Sequence, residues 1–146
     1  MFQEMGRFLA IDYGTKRCGI AVTDPLRIIA AGLTTVHPEE LMSFLDNYLK
    51  EEQVDNIVIG LPLHEDGTKA QLYERVVQVG RQIDKRYPAI KLDYWDERYT
   101  SRMAKEIIRM SGAKRKKRQD KATVDKVSAG IILQEYLEQS EKEQRL

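Results

Sequence analysis

Phe8-Leu9-Ala10-Ile11 is an apolar run that ends at Asp12, and Gly19-Ile20-Ala21-Val22 follows beyond Gly14. The two read as the strands of a hairpin, the first buried on both faces. A third strand is predicted over Ile28 to Val36. Pro38-Glu39-Glu40 then opens a helix in which Leu41, Phe44, Leu45, Tyr48 and Leu49 recur at helical spacing. Ile57-Val58-Ile59 is a second doubly apolar strand, and Gly60-Leu61-Pro62 stops it because proline has no amide to donate. After a loop over 63–68, Leu72, Val76, Val79 and Ile83 predict one amphipathic helix from Lys69 to about Arg86, broken at Tyr87-Pro88. A fifth strand, Ile90 to Trp95, runs into Asp96-Glu97-Arg98. Thr100 is a candidate N-cap for a helix through Met110, with Ser111-Gly112 as its stop. The last helix starts near Asp120 and carries Val124, Val127, Ser128, Ile131, Ile132 and Leu137. This is an α/β order in which strands one, four and five run parallel.

The 146 residues, 42% hydrophobic, suffice for a single domain over 1–146, with 1–6 and about 139–146 expected as flexible tails. A 32% charged fraction with net charge +1 fits a soluble protein and points to no partner by itself, so any basic surface must be local. Cys18 is the only cysteine, which excludes an intramolecular disulfide and a thiolate zinc site and fits a reducing compartment. Glu4 and Arg7 interrupt any signal-peptide core, and no apolar run reaches membrane-span length, so a cytoplasmic location is expected.

In an open α/β sheet, ligands gather beyond the C-terminal ends of the parallel strands. Here those ends carry Asp12, the Gly60-Leu61-Pro62 turn, and Asp96 with Glu97. Asp125 shares a helical stripe with Ala129, Ile132 and Tyr136 and should face the sheet. Crowded inward carboxylates repel one another, and a hard divalent cation with oxygen ligands relieves both the repulsion and the burial penalty. Each acid also has a plainer reading: Asp12 as a turn cap, Asp125 as a partner of Lys121 or Lys126. Arg98 reads equally as an ion-pair partner of Asp96 or Glu97 and as a phosphate ligand.

Gly14 and Gly19 flank Thr15-Lys16-Arg17, which can bring two cations to a phosphate or form an ordinary hairpin turn. The run Lys114-Arg115-Lys116-Lys117-Arg118 is a candidate phosphate-tracking loop or a solvated charge run. His64 is a candidate proton shuttle or polar surface. Tyr13, Tyr94, Trp95 and Tyr99 are candidates for stacking on bases or for sealing the core.

The segments Asp12-Tyr13-Gly14-Thr15-Lys16-Arg17-Cys18-Gly19-Ile20-Ala21-Val22-Thr23-Asp24-Pro25, Gly60-Leu61-Pro62, Asp66-Gly67-Thr68, Asp96-Glu97-Arg98-Tyr99-Thr100-Ser101 and Asp125-Lys126-Val127-Ser128-Ala129 together resemble the YqgF or RuvX family, RNase H-like proteins related to the Holliday-junction resolvase RuvC. The resemblance implies an RNase H-like fold, with a five-stranded mixed sheet in the order 3-2-1-4-5 flanked by helices. It also implies a nuclease that hydrolyses phosphodiester bonds with Mg²⁺ or Mn²⁺. Carried over by position, the catalytic acids are Asp12, Glu97 and Asp125, with Asp96 as a further metal ligand or a support. Lys16, Arg17, Arg98 and Lys114 to Arg118 would contact nucleic acid. The implied role is processing of the 5′ end of pre-16S rRNA in the cytoplasm by a monomer or homodimer. A resolvase acting on branched DNA and a noncatalytic RNA-binding assembly factor remain as alternatives. His64 departs from the asparagine expected at its position.

Overall fold

Leu9 and Ile11 of strand β1 (Arg7–Asp12) lie on one side of the sheet and Phe8 and Ala10 on the other, and all four are buried. A strand with two buried faces needs a layer against each, and both are present in the computed structural model, which describes residues 5–64, 66–97, 106–107, 109–110 and 121–144. β1 is the middle of a five-stranded sheet ordered β3-β2-β1-β4-β5, the order the resemblance implies. β2 (Cys18–Thr23) pairs antiparallel with β1 and with β3 (Ala30–Val36). β4 (Val54–Leu61) and β5 (Lys91–Asp96) continue the other side parallel to β1, as predicted.

Against the Leu9 and Ile11 face pack Leu41 and Leu45 of α1 (Leu41–Glu51) and Val76, Val79 and Ile83 of α2 (Tyr73–Arg86). Against the Phe8 and Ala10 face pack Ala129, Ile132, Leu133, Tyr136 and Leu137 of α3 (Lys121–Gln144). The α3 side of the sheet is floored by small residues, Ala10, Ala21 and Gly32, so this helix can approach closely; a Cβ on Gly32 would lie 3.0 Å from the Lys126 carbonyl oxygen.

Several element ends differ from the sequence expectation, each because a side chain or a distant strand takes over. β3 begins at Ala30 and not Ile28, since the amides of Ile28 and Ile29 both donate to Asp24 Oδ1 at 2.7 Å. Pro38–Glu40 forms a 3-10 turn before α1. α2 starts at Tyr73 because Lys69 bridges to Leu63 and the Ala70 amide donates to the Pro62 carbonyl at 3.0 Å. The polar stretch from 139, expected as a loose tail, is helical as far as Gln144. Within the N-terminal stretch expected to be loose, Gly6 is buried and its amide donates to Asp55 Oδ2 at 2.9 Å. Positions 106, 107, 109 and 110 are helical, in keeping with a helix toward Met110; its candidate N-cap Thr100 and its stop at Ser111-Gly112 lie outside the described residues.

Candidate active site at the strand ends

The register sets the site. Ile11 pairs with Ile59 and Leu61 with Asp96, so the C-terminal ends of β1, β4 and β5 finish along one edge. The Glu97 amide donates to the Leu61 carbonyl at 3.3 Å, which extends the β5 ladder by one residue. Successive side chains then part: Asp96 is exposed and Glu97 is half-buried. The Glu97 carboxylate occupies space that a side chain at position 60 would fill, since a Cβ on Gly60 would lie 2.5 Å from Glu97 Oε2 and 2.8 Å from Ile132 Cδ1.

Asp125 reaches the same edge from the helix layer. Asp12 pairs with Gly19 across the hairpin, and a Cβ on Gly19 would sit 2.6 Å from the Asp125 carbonyl carbon. Glycine at 19 therefore lets α3 settle onto the sheet at the place where β1 presents Asp12. Glycines 19 and 60 make room for two of the three acids.

The electrostatics follow from this crowding. Burial pushes the Asp12 carboxyl well above the usual carboxylate range, and the Glu97 charge, a hydrogen bond with Glu97 and the Asp125 charge push the same way. Burial also raises Glu97, its hydrogen bond with Asp12 pulls it back, and the charges of Asp96 and Asp125 add to the rise. The two carboxyls share a hydrogen bond and titrate as one unit. Arg17 Nη1 lies 3.6 Å from Asp125 Oδ2. Beneath them the buried Cys18 thiol is pushed up to about 11, chiefly by burial, with Asp12 and Asp125 adding to it and a Gly14 backbone hydrogen bond opposing it. Such a thiol stays neutral and does not act as a nucleophile.

Comparison with known proteins gives the family. The family described as RuvX, Holliday junction resolvase, matches residues 6–139. The chain belongs to the RuvX family. It is 47% identical over 133 residues to a protein of Christiangramia forsetii, covering 91% of this chain and 98% of that one. A Bacteroides fragilis protein is 48% identical over 134 residues, covering 92% and 97%. A Porphyromonas gingivalis protein is 48% identical over 140 residues, covering 94% and 100%. All three bear the name "Putative pre-16S rRNA nuclease".

In this RuvX chain the other sequence candidates fall into distinct places. Lys16 is exposed on the hairpin turn, whereas Arg17 is engaged by Asp125, a pairing that sequence spacing gave no sign of. Arg98, Tyr99 and the run Lys114, Arg115, Lys116, Lys117 and Arg118 lie outside the described residues. The aromatic candidates within the described residues serve packing. Tyr13 is buried and its hydroxyl accepts from Arg75 Nε at 3.3 Å. Tyr94 presses its hydroxyl end against Gly80, and Trp95 Nε1 donates to Glu135 Oε2 at 2.8 Å. His64 is exposed in a tight turn closed by its own amide on the Thr68 carbonyl at 2.8 Å. Sequence reading missed His37, whose Nδ1 lies 3.2 Å from the Lys16 carbonyl oxygen and which lines a groove with Lys16 and Arg17. A short polar loop between a strand and a helix carries no periodic signal that would have pointed to it.

Among the described residues, no three carboxylate, imidazole or thiol groups stand close enough together to hold a metal ion as they are. The donor set nevertheless fits a hard divalent cation in charge and ligand type. Asp12 and Glu97 are two crowded oxygen donors joined by a hydrogen bond, and Asp125 adds a third carboxylate charge to both.

Proposed function

We propose that the chain is a divalent-metal nuclease that hydrolyses phosphodiester bonds of nucleic acid, with pre-16S rRNA as substrate, in the cytoplasm. The observation that carries this reading is the buried pair of Asp12 and Glu97, brought together from two strand ends, with the Asp125 charge acting on both from the helix layer. The names of relatives that match along nearly their whole length support the substrate. Among the described residues, no helix is long and apolar enough to cross a membrane.

In this reading Asp12, Glu97 and Asp125 bind Mg²⁺ or Mn²⁺, and Asp96 supports them from the exposed side of the β5 end. When bound, the ion supplies Lewis-acid stabilisation of charge growing on the phosphoryl oxygens. Displacing the proton between Asp12 and Glu97 frees both carboxylates for that task. Arg17 holds the Asp125 carboxylate at the mouth of the site and offsets charge on an incoming phosphate. The buried floor around Gly60 and Ile132 keeps bulk water off the Glu97 side.

The description of the family as a Holliday junction resolvase favours a second reading, branched DNA cut by a dimer. A labelled pre-16S rRNA 5′ fragment and a four-way DNA junction, incubated side by side with wild type and Asp12→Asn in Mg²⁺ or Mn²⁺, separate the two. RNA cut by wild type and not by Asp12→Asn is the expected result. Junction cutting with no RNA cutting moves the assignment to a resolvase, and no cutting of either leaves a noncatalytic RNA-binding assembly factor.

A further inference from the structure

A groove of about 840 Å³ opens beside the acid cluster, walled by Thr15, Lys16 and Arg17 of the hairpin turn on one side and by Thr35, Val36 and His37 at the end of β3 on the other. That volume is within the range of small-ligand sites, roughly 300–1,000 Å³. Three features give it direction. Arg17 belongs both to this groove and, through its ion pair, to the Asp125 end of the acid cluster, so the two spaces adjoin. Lys16 is exposed and forms no ion pair with a described residue, so its charge is available to a ligand. The contact between His37 Nδ1 and the Lys16 carbonyl ties the two walls together, and with Nδ1–H donating there, the ring turns Nε2 toward a ligand and donates to an anion from it in the doubly protonated form. Glu39 and Glu40 line the end formed by the 3-10 turn and repel an anion there. The favourable anion position is therefore confined to the Lys16 and His37 walls.

We infer that this groove is a subsite for a backbone phosphate of the substrate strand that is not itself cut, held by Lys16 and His37 next to the scissile position. The inference rests on the nuclease reading for its ligand and extends it by naming where the strand runs, toward the β3 edge of the sheet. Thr15 and Thr35 supply further hydroxyl donors in the same groove.

The test is binding of a labelled single-stranded RNA, taken from the 5′ end of pre-16S rRNA, to the full chain in EDTA, where nothing is cut. Fluorescence anisotropy is followed over a series of KCl concentrations. Lys16→Gln is expected to weaken binding about tenfold and to lower the slope of log affinity against log salt by about 0.7, one single-strand phosphate contact. His37→Gln is expected to weaken it about threefold. Lys85→Gln, on a separate groove with Met42, Gln82 and Arg86, is expected to change nothing. Replacing one RNA linkage at a time by a neutral methylphosphonate should reveal one linkage that matters to wild type and no longer matters to Lys16→Gln. Equal losses for all three variants, a loss for Lys16→Gln alone, or no such linkage overturns the subsite while leaving metal-dependent cleavage standing. No RNA binding by wild type, together with no RNA cleavage, overturns the nuclease reading and the subsite with it. Lys16 and His37 are both exposed, so neither substitution threatens the fold.

Discussion

The two ends of the parallel strands treat carboxylates in opposite ways. Where β1, β4 and β5 begin, carboxylates meet donors: Glu52 accepts from Arg7 at 3.1 Å, Asp55 takes Arg27 and the Gly6 amide, and Asp93 accepts from the Tyr136 hydroxyl, which in turn accepts from Asn56 at 2.7 Å. Where the same strands finish, Asp12 meets Glu97, and Asp96 and Asp125 add their charges to it. Both ends use the same chemical group on the same sheet. The beginning is arranged for a stable fold, and the finish keeps a repulsion that a folded domain has no structural use for.

The largest expected effect breaks this symmetry directly. Asp12→Asn or Glu97→Gln should lower metal-dependent RNA cleavage by on the order of a thousandfold, while Asp55→Ala at the opposite end should leave it within about twofold. Initial rates on the labelled rRNA fragment check this, and equal loss from both ends would show that the distinction is one of stability only. Next in size is Gly19→Val. Its side chain would meet the Asp125 backbone, so α3 must lift from the sheet, with an expected cost of about 3 kcal/mol in urea unfolding. A neutral result would mean that α3 does not lie on the hairpin. Asp55→Ala should then lower stability by about 1–2 kcal/mol. It strands Arg27, although that side chain keeps its bond to the Gly6 carbonyl at 2.8 Å and its place 4.3 Å from the centre of the Phe8 ring.

Much of this arrangement is legible in the sequence, and the illegible parts share a cause. β1 and β4 announce themselves as apolar runs because both faces are covered, and Asp12 and Glu97 are visible as acids at strand ends. Asp125 is visible because its helical stripe runs into Ala129, Ile132 and Tyr136, all of which are buried. The misplaced boundaries at Ala30 and Tyr73 are set by the Asp24 side chain and by the Leu63 bridge to Lys69, contacts that hydrophobic periodicity does not encode. The last turns of α3 look like a polar tail. Yet Gln139, Ser140 and Glu143 line a hollow with Lys91 and Asp93 at the start of β5, so they gain a neighbour that composition does not show. The pairing of Arg17 with Asp125 and the seat of His37 are likewise products of β2, β3 and α3 meeting.

The smallest effect is the most discriminating, because it has a sign. Burial and Glu97 hold the Asp12 carboxyl above its ordinary value near 3.8, so the native state binds this proton more tightly than the unfolded chain does. The stability tied to that proton is fully present below the unfolded value and is lost as pH rises through the folded one. At neutral pH in EDTA, wild type should therefore unfold more easily than Asp12→Asn, whose amide needs no proton to sit beside Glu97. As pH falls toward 4, the unfolded chain takes up the proton as well and the two thermal midpoints should converge. Adding Mg²⁺ at neutral pH should raise the wild-type midpoint and leave that of Asp12→Asn nearly where it was, since a cation bound to the native state alone stabilises it by mass action. A midpoint for Asp12→Asn below that of wild type in EDTA at neutral pH would mean that the Asp12 carboxylate stabilises the fold, as Asp55 does at the other end. The contrast between the two strand ends would then fail.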